Sequence, residues 1–546
     1  MAALESATRL LFAPPRYHDA PLEYDPEIGF RGVPNLRREI DDERGRYVFQ
    51  LNSEGLRGSE LPDGPAAPGV QRLAFVGDSF LVGEALPETQ LMTSRLEAML
   101  RADGEQAEVY NLSTIDVGTG QELLLFDRLA PRVRPDVVVL ALYPANDVIN
   151  NSLLLSGATR VSGGDPIRAY LVPDGNGLRR AWAHPLRGPL RAHSRLFAML
   201  ERRIIGRSVE WLVPKARPAR ERLSLGLAPR AHLELFRRHY PGDRWERAWA
   251  TTLELLRAFR KRCDAMGARL LVLVIPSIYQ VEHWAHAVRL DAEARAWAGL
   301  PLDRLLDWNL PERRLGDFFA AEGIEARALL GPLRDATRAG RGSLYTRDVH
   351  LGAHGHEIAA EQVRDGLRTE PGAGGFGKIA GEPVRWLPDA TQASPGLDFG
   401  EAPQFPQLGD GWLLWEPRDG RMDWGWRIGP SALVVLPASP GELVVRGRVP
   451  EGAQLPVRGT LAFVAGVHSR FSLTEHGAFE VRARWSREAG GVDSEGYVAI
   501  LLAPGQILDA RGFPLALIVQ QIGFERSDHH AAAARRGSVL RQRAIP

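Results

Sequence analysis

The chain has 546 residues, too many for one hydrophobic core, and a length prior of roughly 100–200 residues per domain points to two to four domains. Hydrophobic residues at 44% and charged residues at 25% exclude a wholly disordered or fibrous chain, and 68 basic against 67 acidic residues leave no overall field to draw in nucleic acid. A single cysteine, Cys263, excludes an internal disulfide and reads as a buried structural thiol.

The opening stretch MAALESATRLLFAPPRYHD lacks the apolar run of roughly 7–15 residues of a signal peptide and the roughly 20 of a membrane span, so the chain as written is expected to be soluble and cytoplasmic. Residues 1–69 read as an N-terminal extension. From 70 to about 370 apolar runs alternate with helical patterns. Strands are expected at 72–76, 107–112, 136–142, 269–275 and 325–330, and helices near 88–102, 119–130, 246–267 and 354–368, with Gly267 as a C-cap. Such a βαβ series predicts an α/β fold: a three-layer, doubly wound parallel sheet with its crevice beyond the carboxyl ends of the strands. Residues 150–243, rich in Arg, Pro and Trp, interrupt the series as an insertion expected to pack as short helices over that crevice. A Gly- and Pro-rich linker at 371–382 leads to short period-2 runs over 383–525, which predict an antiparallel β-sandwich as an accessory domain, and 526–546 reads as a flexible tail.

Several motifs fail on context. The spacing Gly372-x-Gly374-x-x-Gly377 matches a dinucleotide fingerprint, and Gly372 to Gly377-Lys378 nearly matches a phosphate-binding loop. Neither has a strand before it or a helix after it, and Ile379 stands where the second needs Ser or Thr. His529 and His530 lack partners at ligand spacing, and His354 and His356 read as exposed or capping residues, so no metal and no cofactor is expected.

The remaining constellation carries chemistry. A serine nucleophile needs a base, a group to orient that base, and donors for the oxyanion. Ser79 follows the first strand in RLAFVGDSF, Asn146 follows the third in VVVLALYPANDVINN, and Asp348 precedes His350 by two residues in LYTRDVHLGAHGHEIAAE. Asp78 is expected to brace the turn that carries Ser79 through local hydrogen bonds.

Residues 70–368 resemble the GDSL-type, or SGNH, hydrolase superfamily. Gly77-Asp78-Ser79-Phe80 resembles its nucleophile block, Asn146-Asp147 its oxyanion block and Asp348-x-His350 a spaced variant of its closing block. The resemblance implies a flavodoxin-like sheet, a triad of Ser79, His350 and Asp348, and oxyanion donors from Asn146 and backbone amides. One block departs: where the family has a glycine five residues after Asn111, this chain has Asp116, whose carboxylate beside an oxyanion opposes catalysis unless it points away, and Gly118 is the alternative donor. The segment EYDPEIGFRGVPNLRREIDDERGRYVFQLNSEGLRGSE resembles the region ahead of the catalytic domain in envelope-associated bacterial members, which places this chain at the cell envelope by resemblance. The end of the chain is similar to sandwich modules of bacterial sugar-modifying proteins.

The implied function is a serine esterase acting on a small-molecule or glycan acyl ester, with O-acetylated carbohydrate as the expected substrate. The alternatives are an O-acyltransferase to a glycan or a catalytically weak glycan-binding protein on the same fold. Neither a nucleic-acid partner nor a membrane span in this chain is expected.

Overall fold

A computed structural model describes residues 5–6, 8, 21–25, 27–42, 45–153, 155, 169–175, 177–182, 190, 194–200, 233–240, 242–281, 302–339, 344–346, 349–369, 376, 396–398, 412–415, 426–428, 432–439, 441–463, 468–485, 497–504, 507–508, 514–515 and 517–525. The chain divides into two compact units, one of Met1–Asp41, Gly45–Val281 and Leu306–Pro383, the other of Asp42–Arg44, Glu282–Leu305 and Val384–Pro546. The linker glycines, the tail with His529 and His530, and Asp348 lie outside the described residues.

In chain order the strands of the first unit are β1 (Leu22–Asp25), β2 (Gly29–Gly32), β3 (Arg37–Asp42), β4 (Gly45–Gln50), β5 (Gln71–Gly77), β6 (Ala107–Ser113), β7 (Val137–Leu142), β8 (Ala169–Pro173), β9 (Leu178–Trp182), β10 (Arg269–Val274) and β11 (Glu325–Ala328). Five of them form one sheet in the order β6-β5-β7-β10-β11, every pair parallel. With the five strands numbered in chain order this is 2-1-3-4-5, the doubly wound flavodoxin-like order expected from the resemblance. The whole of β7, VVVLAL, and Leu73–Val76 of β5 are buried, as strands covered on both faces must be, which is why they read as continuous apolar runs.

Helices Met92–Ala102 and Ala353–Arg368 pack on each other and on the sheet, and so do Thr119–Val133 and Arg244–Met266. The last of these ends at Gly267 with φ 74°, the left-handed C-cap read from the sequence. Its Cys263 is fully buried, and burial, with Asp264 nearby, pushes the thiol up to about 12, so it is inert.

Three expectations are altered in detail. The described part of the 150–243 insertion contains an antiparallel hairpin, β8 with β9, alongside the short helix Arg195–Leu200, in place of short helices alone. The hairpin packs on helix Thr119–Val133, where Gln121 Nε2 donates to the carbonyl of Ala169. His356 is buried, not exposed: its Nδ1 accepts the Met92 N–H at 3.2 Å and so caps a different helix. Burial first, then Arg95, lowers its pKa to about 3, which keeps the ring neutral. Helices Leu310–Glu322 and Leu330–Arg338 flank β11 and cut its predicted end back to Ala328.

The second unit is built of β12 (Gly396–Asp398), β13 (Trp412–Trp415), β14 (Trp426–Ile428), β15 (Ala432–Pro437), β16 (Gly441–Val449), β17 (Val457–Phe463), β18 (His468–Leu473), β19 (Gly477–Trp485), β20 (Tyr497–Ala503), β21 (Ile507–Leu508), β22 (Pro514–Leu515) and β23 (Leu517–Glu525). One sheet runs β13-β14-β23-β16-β19 with β12 on β23, and another runs β15-β20-β17-β18; neighbouring strands in both are antiparallel. Alternate residues of both sheets, among them Leu443, Val445, Leu461, Phe479, Ile500 and Ile522, form one buried core, the sandwich that the period-2 runs predict. Among the described residues no helix is long and apolar enough to cross a membrane.

Phe75 sits in the middle of β5 with no exposed surface. Phe75→Ala is expected to destabilise the first unit by about 3–5 kcal/mol through lost burial and the cavity left behind, measured by denaturant unfolding.

Candidate active site

The strand β5 ends at Gly77 because the chain has no room for a side chain there: a Cβ would lie 2.9 Å from Leu81 Cδ1 and 3.1 Å from the Ala141 carbonyl of β7. Asp78 then caps the one-turn helix Ser79–Val82, its Oδ1 accepting the Phe80 N–H at 3.0 Å. Ser79 is therefore the first helical residue, and its N–H has no acceptor within the helix.

His350 comes from the far end of the unit. Tyr345 and Leu351 form an antiparallel bridge, and the Gly352 N–H donates to the Leu344 carbonyl at 2.8 Å. Tyr345 Oη donates to the Pro276 carbonyl at 2.9 Å, which anchors this loop just past the end of β10. Between these ties Val349 adopts φ +68°, a strained conformation for a β-branched residue. The His350 carbonyl accepts from the Thr346 N–H at 2.7 Å and from Thr346 Oγ1 at 3.0 Å. With its backbone held, His350 brings Nε2 to 2.8 Å from Ser79 Oγ, and its ring lies 4.8 Å from that of Phe80.

Asn146 stands in the helix Pro144–Asn150, directly after β7. Its Nδ2 donates to Asp78 Oδ2 at 2.8 Å and to the Val117 carbonyl at 3.1 Å, while its Oδ1 accepts from Asn150 Nδ2 at 2.6 Å. Ser79 and Asn146 thus flank the point where the strand order reverses, the usual place for a ligand crevice. Asp116 has φ +55°, the left-handed region that glycine adopts most easily and Asp tolerates. The Gly118 N–H is given to Gln121 Oε1 at 3.0 Å, so Gly118 is not an oxyanion donor in this arrangement. Asn111 Nδ2 donates to the Leu81 carbonyl at 2.9 Å and ties β6 to the helix that carries Ser79.

Behind these groups lies a buried acidic cluster that sequence reading took only in part. Burial raises the pKa of Asp78 against the bonds from Phe80 and Asn146 and the charge of His350. Asp147, which accepts the Tyr143 N–H at 2.7 Å, is pushed well up by burial and then by Asp78. Glu122 is 1% exposed, and among the described residues neither of its oxygens has a hydrogen-bond partner. Burial, then Asp147 and Asp78, hold it well above the usual carboxyl range. No local signal marks Glu122 in the sequence, since an acid in the first turn of a helix is ordinarily solvated.

No protein-family model matches the chain, and no curated protein matches it. Among solved structures, the chain is similar to a two-domain esterase (CEX) active on acetylated mannans and co-crystallised with mannopentaose, at 11% identity over 84% of this chain and 92% of that chain, with a TM-score of 0.25. It is also similar to an acetyl xylan esterase, AlAXEase, at 11% identity over 54% and 99% of the two chains, TM-score 0.26. A third is the lipase/acylhydrolase from Enterococcus faecalis, at 13% identity over 55% and 98%, TM-score 0.26. The sheet order and the geometry around Ser79 stand independently of these likenesses.

Glu122 titrates with a sign that can be measured. A carboxyl whose pKa is raised on folding contributes its stability below its unfolded value, about 4.5, and loses it as the pH rises towards the folded value. The wild type is therefore expected to lose stability between about pH 5 and 8, and Glu122→Gln, which does not titrate, to lose less. Thermal melts of both proteins at the two pH values check this; parallel losses would remove Glu122 from the account.

Proposed function

We propose that the chain is a serine ester hydrolase that works through an acyl-enzyme. The observation that carries this reading is the 2.8 Å contact between His350 Nε2 and Ser79 Oγ, at hydrogen-bond length between a nucleophile and its base. Ser79 Oγ attacks the ester carbonyl carbon as His350 takes its proton. The tetrahedral intermediate collapses with loss of the alcohol, which receives that proton, and water repeats the sequence on the acyl-enzyme to release the acid and free Ser79.

The oxyanion is held by the Ser79 and Asp116 N–H groups and by Asn146, which gives it the N–H otherwise held on the Val117 carbonyl. Asp348, two residues before His350, orients the imidazole and stabilises its charged form. Asp78 and Asp147 support the site from behind: the first fixes Asn146, and the second fixes the start of the helix that carries it. O-acetylated carbohydrate is the substrate class taken here, from the resemblance of the sequence blocks and from the sandwich unit.

On a short-chain nitrophenyl ester, Ser79→Ala is expected to lower kcat by about 10⁴-fold or more and to abolish labelling by a serine-reactive phosphonate. Full activity in that variant would end the acyl-enzyme reading. Asp116→Gly removes both a left-handed non-glycine residue and a carboxylate beside the oxyanion. It is expected to raise kcat severalfold, on the scale of part of one oxyanion donor, with KM little changed. A fall in kcat would show that the Asp116 side chain assists the reaction.

A further inference from the structure

The cleft at the Ser79–His350 pair is walled by Gly83–Leu86 on one side and closed by Leu351. Gly83, Ala85, Leu86 and Leu351 make the lining mainly apolar, which suits an acyl chain better than a polyhydroxyl group.

The wall is held in place from outside the sheet. Arg57, 1% exposed, donates from Nη1 to the Val82 and Gly83 carbonyls at 3.3 and 3.4 Å and from Nη2 to the Leu86 carbonyl at 2.8 Å. Tyr47 Oη donates to the carbonyl between them, that of Glu84, at 2.9 Å. Four of the five backbone carbonyls from Val82 to Leu86 thus accept from two side chains of the segment before the sheet. The guanidinium lies over the Phe49 ring, 4.6 Å from its centroid, and its nearest described carboxylate, Glu88, stands 3.9 Å away. Burying a cation on carbonyls, with Glu88 at 3.9 Å as its counter-charge, adds little to the stability of a fold. It is an effective way to fix a short backbone segment, because the planar fork reaches several acceptors in one geometry.

We infer that Arg57 and Tyr47 are positioning residues that set the width of the acyl cleft, so that the segment around 45–57 selects small acyl groups. The inference rests on the ester-hydrolase reading above. Neither residue touches the reacting atoms; both act through the Gly83–Leu86 wall.

The test is a chain-length series of nitrophenyl acetate, butyrate and octanoate with wild type, Tyr47→Phe, Arg57→Lys and Ala85→Val. Arg57→Ala is avoided because an empty buried site there threatens folding, and circular dichroism melts confirm that each variant is folded. Wild type is expected to prefer acetate. Tyr47→Phe and Arg57→Lys are expected to raise the butyrate-to-acetate ratio of kcat/KM at least about fivefold, chiefly by raising KM for acetate, as loosened binding does. Ala85→Val narrows the cleft directly and is expected to lower that ratio. Folded Tyr47→Phe and Arg57→Lys with an unchanged ratio, or a wild type that prefers octanoate, would overturn the inference while leaving the esterase reading intact. A wild type that hydrolyses none of the esters and takes no phosphonate on Ser79 would overturn both.

Discussion

The hydrogen bond from Asn146 Nδ2 to Asp78 Oδ2 joins the carboxyl ends of β5 and β7 across the point where the sheet reverses its winding, and the rest of the site is arranged around it. Asp78 is buried, so each of its oxygens needs a donor; one receives the Phe80 N–H and starts the helix that presents Ser79, the other receives Asn146. Asn146 is held in turn by Asn150 and by the Val117 carbonyl, which belongs to the loop carrying Asp116. A fully paired buried network of this kind admits one arrangement, because any other leaves a polar group without a partner in a low-dielectric interior. The same interior raises the pKa values of Asp78, Asp147 and Glu122, because burial disfavours their charged forms and the neighbouring acids oppose one another's charge.

Ser79 and His350 are delivered by turns rather than by long regular elements. Ser79 stands on a single helical turn, and His350 on a loop whose ends are paired and whose Val349 is held in the left-handed region. Strain in such a loop persists only where the surroundings determine it, and here the Tyr345 tie to Pro276 and the Leu344–Gly352 bond do so. The wall of the cleft follows the same rule, since Arg57 and Tyr47 hold carbonyls that no helix or sheet ladder satisfies. Rigid sheet, exposed strand ends and fastened loops are a common division of labour in enzymes of this architecture.

Much of this was legible in the sequence, for a physical reason. Strands of a sheet covered on both faces must be continuously apolar, so the inner strands β5, β7 and β10 announce themselves, and a polar residue just after such a run has to lie at the crevice edge. That placed Ser79 and Asn146, and the spacing of the last block pointed to His350. The hairpin β8–β9 was missed because its strand Leu178–Trp182, LRRAW, is largely uncovered and carries little apolar signal. Of the two roles open to His356, exposure or capping, the structure has capping, and its burial was not legible because nothing local to a helix start reveals the packing against Met92.

The sequence by itself therefore determined the sheet, its winding, the sandwich and the order of the chemical groups, all of which follow from the periodicity of apolar residues and from what stands at the ends of the runs. Only the tertiary structure decided how those groups meet. The 2.8 Å approach of His350 to Ser79, the engagement of the Gly118 N–H by Gln121, the left-handed turn at Asp116, the unpaired burial of Glu122 and the grip of Arg57 on Val82–Leu86 are contacts between side chains and backbone groups that the fold brings together. Their geometry depends on which donors burial leaves to satisfy, and burial is a property of the folded chain, not of any one stretch of it.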